Sequence, residues 1–228
     1  MGVDLRLLAG QIVGMFVVFV AALFLPAGTF AWASGWVYLA LFFGFTVAIS
    51  LWLLRNNPGL LQERMTGVGS RQQKAWDKVL LAVVAAMFFA WLVLMPLDAV
   101  RFQWSQVPFW LQAVGVLVLG CSFLLLFLTF RENPYLSPAV RVQEERGQTV
   151  VSTGPYGYVR HPMYSGFVLF AVGTPLVLGS WYGLLLSLAL IAMVARRAVL
   201  EEDTLRQELT GYDAYMEHVK HRLVPGLW

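Results

Sequence analysis

An all-α bundle embedded in a membrane, with about six apolar segments, is the fold this sequence predicts. Three observations predict it. Of 228 residues, 59% are hydrophobic and 13% charged, with a mean hydropathy of +0.68; soluble domains carry about 25% charged residues. Apolar runs recur at 7–27, 32–54, 79–97, 108–130, 163–179 and 181–196, and a helical span needs about 20 such residues. The charged residues gather in alternate connections.

The first run follows Met1–Arg6 without a small-residue cleavage site, so it reads as a span and not a cleaved signal. Pro26-Ala27-Gly28 separates it from the second. Asn56 to Arg64 reads as an interfacial turn with a short amphipathic helix. Pro96 lies near the end of the third run and Pro108 near the start of the fourth. The last two runs are short and joined by Leu178-Gly179-Ser180-Trp181, which predicts a tight helical hairpin. After Arg197, Leu200, Leu205 and Leu209 recur among Glu201, Glu202, Asp203, Arg206 and Glu208. That pattern predicts a cytoplasmic helix running on from the last span. The chain divides into four membrane helices over 1–130 and a more polar part over 131–228.

Loop 55–78 holds Arg55, Arg64, Arg71, Lys74 and Lys78 against Glu63 and Asp77. Loop 131–162 holds Arg131, Arg141, Arg146 and Arg160, and the tail holds Arg196, Arg197, Arg206, Lys220 and Arg222. The positive-inside rule puts these and both termini on the cytoplasmic side of a multi-pass protein of the cytoplasmic membrane.

A net charge of +3 gives no reason to expect nucleic acid. Cys121 is the one cysteine, which rules out an intrachain disulfide and assigns it to packing. His218 and His221 lack a third ligand nearby, so no metal site is expected. The chain has no GxGxxG or Walker fingerprint.

Two clusters carry the chemistry. The first is Gly154-Pro155-Tyr156-Gly157-Tyr158-Val159-Arg160-His161-Pro162-Met163-Tyr164. Pro162 fits the first position of the next helix, leaving His161 at a helix mouth whose N–H groups favour an anion. Tyr156, Tyr158 and Tyr164 offer faces for a ring or a cation. The second runs from Arg196 to Leu205, where Arg197 and Glu201 form an i, i+4 pair and Glu201-Glu202-Asp203 forms an acidic cluster. An apolar hairpin between them brings the clusters to one membrane face. Asn133, Arg141, Gln143 and Glu145 lie on the connector feeding the first cluster. Tyr212, Tyr215 and Trp228 read as interfacial anchors of the tail.

In this order, the motifs resemble those of the isoprenylcysteine carboxyl methyltransferases, part of a wider group of membrane methyltransferases that includes phospholipid N-methyltransferases. The resembling residues are Gly154-Pro155-Tyr156, Val159 to Tyr164, Glu201-Glu202 with Leu205, then Gly211-Tyr212, Tyr215, Val219 and Arg222 to Pro225. The resemblance covers roughly 128–228. It implies S-adenosylmethionine as methyl donor, held by Gly154, Tyr156, Val159, Arg160, His161, Pro162 and Tyr164, with Glu201 or Glu202 meeting its cationic end. It implies an arginine near the acceptor, for which Arg196 and Arg197 both qualify, so that the catalytic set is Arg196, Arg197, Glu201 and Glu202. The acceptor would be lipophilic, entering from the membrane lipids. A prenyl-cysteine carboxylate, a phospholipid amine and a small thiol all stay open. An NADPH-dependent reductase of the sterol type, on the same scaffold, is the alternative.

Overall fold

The computed structural model describes residues 3–66, 69 and 73–228. Arg71, counted above in the cationic loop, lies outside the described residues. Among those described the chain forms eight α-helices and no strand: α1 (Leu5–Ala27), α2 (Ala33–Asn56), α3 (Pro58–Thr66), α4 (Ala75–Pro96), α5 (Phe109–Glu132), α6 (Pro162–Leu178), α7 (Trp181–Glu208) and α8 (Tyr212–His218). Helices α1, α2, α4, α5 and α7 are long and apolar enough to cross a membrane. Their outer faces expose side chains such as Val13, Leu117 and Leu185, surface that water would not tolerate and lipid does. The protein is an integral membrane protein.

The helix ends follow local rules. The Asp4 carboxylate caps α1 by accepting from the Arg6 and Leu7 amides at 2.9 and 3.2 Å. Gly28 closes α1 at φ 71°. Pro162 opens α6 directly after His161. Ser180 caps α7 by accepting from the Gly183 amide at 2.8 Å. The hairpin is asymmetric: α6 has 17 residues and α7 has 28. The helix expected beyond Arg197 is the last part of α7, and α8 follows separately after Gly211 at φ 87°.

Helices α5 and α6 make the closest approach. A Cβ on Gly173 would stand 2.9 Å from the Leu119 amide nitrogen, and one on Gly115 would stand 2.7 Å from that of Val177. Small residues of this kind let helices associate where lipid supplies no hydrophobic drive. The Ser122 hydroxyl adds a bond to the Gly166 carbonyl at 2.8 Å. Around this pair the core gathers Phe19, Tyr38, Trp91, Leu119 and Leu190. Cys121, expected in packing, is exposed on the outer face of α5.

Polar contacts collect at two opposite ends. At one end Glu63 meets Arg141, Lys74 pairs with Glu208, and Asp77 pairs with Arg197. At the other, Asp98, Ser105 and Ser180 bond one another. Helix α6 runs from the first end to the second in about 25 Å at 1.5 Å per residue.

Candidate active site

The segment between α5 and α6 is long and polar, yet folded back on itself. Asn133 ends α5, and its side chain donates to the Tyr156 hydroxyl at 2.8 Å. Gln143 is fully buried and donates to the Tyr135 carbonyl at 2.7 Å. Arg141 bonds Glu63 at 2.9 Å and Glu145 at 2.7 Å. Burial alone would lower its pKa, but Glu63 and Glu145 hold the guanidinium above its usual range. The segment expected as a solvated connector is thus a wall.

The C-terminal tail clamps the Arg160-His161 turn. The Arg160 and His161 amides donate to the His221 and Arg222 carbonyls at 2.9 Å each, and the Val159 amide donates to the Pro155 carbonyl at 3.2 Å. The backbone amides of Val159, Arg160 and His161, just before the α6 mouth, are therefore already engaged.

Glu202, nearly inaccessible on α7, is the centre of an ion cluster. Its Oε1 accepts from Arg160 Nε at 2.6 Å and lies 3.2 Å from His161 Nε2; its Oε2 accepts from Arg222 Nε at 2.7 Å. Arg160 also donates to the Val219 carbonyl at 2.7 Å. A buried carboxylate is tolerated when paired in this way, and here it locks α7, the turn before α6 and the tail together.

One turn away, Arg197 forms a second network. Its Nε donates to Asp77 Oδ1 at 2.8 Å, its Nη2 to the Pro138 carbonyl at 2.8 Å and its Nη1 to the Tyr164 hydroxyl at 2.7 Å. The Tyr164 hydroxyl in turn donates to Glu201 Oε2 at 2.5 Å. The i, i+4 pair expected between Arg197 and Glu201 is thus bridged by a tyrosine.

Two cavities flank that bridge. The polar one is lined by Asn133, Arg141, Arg160, His161, Glu201 and Tyr212, among others, and encloses about 800 Å³ including its open mouth. Burial pushes the phenols of Tyr156, Tyr212 and Tyr215 above the ordinary tyrosine range, so all three stay hydrogen-bond donors. The Tyr212 hydroxyl is buried and has no hydrogen-bond partner among the described residues. The apolar cavity is lined by residues of α1 to α7 and encloses about 1710 Å³ on the same measure. Its lining is aliphatic and aromatic apart from a few groups, among them Arg64 and Arg197. Met163 and Tyr164 belong to both cavities.

The structure sorts the sequence candidates. Tyr156, Arg160, His161, Tyr164 and Glu201 line the polar cavity. Gly154, Val159, Pro162 and Glu202 do not; they shape the site from behind. Gly154 adopts φ 56°, and a Cβ there would meet Glu132 Cγ at 2.5 Å. Arg197 is buried at the site, while Arg196 points out on the opposite face of α7. Tyr158 is 73% exposed. Tyr212 and Tyr215, expected as surface anchors, face inward, and the Tyr215 hydroxyl donates to the Tyr156 carbonyl at 2.7 Å. Trp228 is exposed, with the Arg222 guanidinium 5.2 Å from its ring. Sequence reasoning missed Asp77, Arg64 and the wall at Gln148, Thr149, Val150 and Val151. Asp77 looked like one more loop charge, and those four residues carry no distinctive chemistry.

Much of the site lies in a part of the chain that matches a known family. Residues 110–210 match the family model for phospholipid methyltransferases. Over 91 residues the chain is 35% identical to a protein-S-isoprenylcysteine O-methyltransferase of Schizosaccharomyces pombe, a stretch covering 40% of this chain and 38% of that protein. The chain matches well under half the length of this relative. Residues 110–210 take in α5, the polar wall, the turn at His161, the hairpin and the Glu201-Glu202 helix. Residues 110–210 are thus similar to phospholipid methyltransferases, and the chain over 91 residues to an isoprenylcysteine methyltransferase, the two groups that its motifs resemble.

Proposed function

We propose that the protein transfers the methyl group of S-adenosylmethionine to a lipophilic acceptor at the cytoplasmic face of the membrane. The observation that carries this reading is the pair of cavities, one polar and one apolar, meeting at Met163 and Tyr164. A water-borne donor and a lipid-borne acceptor need such an arrangement.

The residues of the polar cavity fit the donor. Its ligand-bearing groups are a carboxylate, an ammonium, a sulfonium, a ribose and an adenine. Glu201 is the carboxylate that faces the cavity, engaged only by Tyr164, and it complements the cationic end. Arg141, Arg160 and His161 complement the carboxylate. The unpartnered Tyr212 hydroxyl supplies a hydrogen bond, and the apolar faces of Val150, Leu205 and Leu209 take a ring. When bound, S-adenosylmethionine supplies an electrophilic methyl on sulfur.

The protein contributes alignment and exclusion of water. Arg197 is held by Asp77 and Pro138, so its guanidinium is fixed at the wall, where it polarises the Tyr164 hydroxyl. Met163 and Tyr164, where the cavities meet, would orient the acceptor's nucleophilic atom toward that methyl.

The test is binding of S-adenosylhomocysteine to the purified protein by calorimetry, with NADPH run alongside. Saturable binding, weakened about tenfold in Glu201→Gln, is expected. A response to NADPH alone would replace methyl transfer by a reductase. The cytoplasmic placement is tested by tag accessibility at the C-terminus in intact cells; labelling from outside would overturn it.

A further inference from the structure

Arg64 lies on α3, outside residues 110–210 that match the phospholipid methyltransferase family model. It stands one turn beyond the buried anchors Leu60 and Leu61, on the face that α3 turns inward. Its guanidinium stacks on Phe130 at 4.7 Å, and its Nη1 donates to the Leu136 carbonyl at 3.1 Å. Every other guanidinium lining either cavity has a carboxylate: Arg141 has Glu63 and Glu145, Arg160 has Glu202, and Arg197 has Asp77. Arg64 has none among the described residues. Burial, and then the like charge of Arg197, pull its pKa down to about 10, so it is still charged at neutral pH.

A half-buried cation without a counter-ion is costly. Here it borders a large apolar cavity, beside a second guanidinium. The planar fork of an arginine matches carboxylate and phosphate oxygens. A lipid amine would meet repulsion at the same place.

We propose that Arg64 is a specificity-determining residue: its free donor edge receives the acidic head, a carboxylate or a phosphate, of an amphiphile whose apolar tail fills the cavity. The proposal rests on the reading of that cavity as the acceptor site. It places acceptor selection on the N-terminal half of the chain, apart from the donor motifs.

The experiment uses the full chain in detergent and radiolabelled palmitate, displaced in turn by methyl palmitate, hexadecyl phosphate and hexadecylamine. Palmitate is expected to bind about tenfold more tightly than its uncharged ester, which corresponds to about 1.4 kcal/mol. Hexadecyl phosphate displacing better than palmitate assigns the site to phosphates; the reverse order assigns it to carboxylates. Arg64→Gln should bind acid and ester alike while ester affinity and S-adenosylhomocysteine affinity hold, an outcome that a merely structural role would not produce. Equal binding of acid and ester by the unmodified protein would overturn the proposal without any variant, as would an acid preference that survives Arg64→Gln or Arg64→Met. If S-adenosylhomocysteine does not bind while acid selectivity holds, methyl transfer falls and the anion subsite stands. If it binds and selectivity is absent, only the subsite falls.

Discussion

At the start of α7 the buried Asp98 accepts from the Ser105 and Ser180 hydroxyls at 2.6 and 2.5 Å, and no cation reaches it among the described residues. Near the end of the same helix the buried Glu202 is surrounded by Arg160, Arg222 and His161. The Asp98 end ties a π-helical turn, Leu97–Arg101, to the cap of α7, and leaves one carboxylate oxygen, Oδ1, without a partner. It borders neither of the two cavities that meet at Tyr164. The Glu202 end has an excess of cationic groups and stands behind the polar cavity. One carboxylate clasps a turn with neutral donors. The other organises charges that a ligand can use. Burial of an acid therefore does not by itself mark a functional site; what surrounds it decides.

The comparison breaks most readily at Glu202. Glu202→Gln leaves two guanidinium groups without their counter-charge, and removing one partner of a buried ion pair costs about 3–5 kcal/mol. A large fall in melting temperature is expected. An unchanged melting temperature would make Glu202 no more structural than Asp98. Glu201→Gln sharpens the contrast between neighbours. It should lower S-adenosylhomocysteine affinity about tenfold, roughly 1.4 kcal/mol, and leave melting nearly unchanged.

Alkaline pH should also separate the two ends. Tyr156, Tyr212 and Tyr215 have phenols raised by burial, so the folded state keeps protons that the unfolded chain releases near pH 10. Their contribution is complete below about pH 10 and is lost as pH rises above it. Hydrogen exchange at the tail is expected to accelerate above that point before exchange near Ser180 does; simultaneous loss would count against a distinct donor-site unit. Tyr212→Phe removes a hydroxyl that has no partner among the described residues. Stability should hold while donor affinity falls by about 1 kcal/mol, the net worth of one hydrogen bond. The smallest effect is expected of Asp98→Asn, which keeps an acceptor for Ser105 and Ser180 and removes a buried charge: a change in stability under about 1 kcal/mol, with donor binding untouched.

The fold class was legible because hydropathy and loop charge are local properties. The helix boundaries at Gly28, Pro162 and Gly179 follow from residues with restricted or unusual backbone freedom. The motif from Gly154 to Tyr164 and the pair Glu201-Glu202 were legible by their chemistry and order. Tyr212 and Tyr215 were misplaced at the surface because an aromatic in a polar tail has the composition of an interfacial anchor. Only the fold of the tail over Arg160 and His161 turns them inward.

The sequence by itself determined that this is a helical membrane protein, where several of its helices are bounded, and where its two polar clusters lie along the chain. Tertiary structure decided which of two adjacent arginines enters the site, because a helix rotates about 100° per residue and only Arg197 faces Asp77 and Tyr164. It decided that Glu201 faces a cavity while Glu202 is consumed in a cluster. It also brought Arg64 and Asp77, more than 100 positions from Glu201 along the chain, to the same end of the bundle. Such pairings depend on how helices pack across the whole molecule, and no local pattern encodes them.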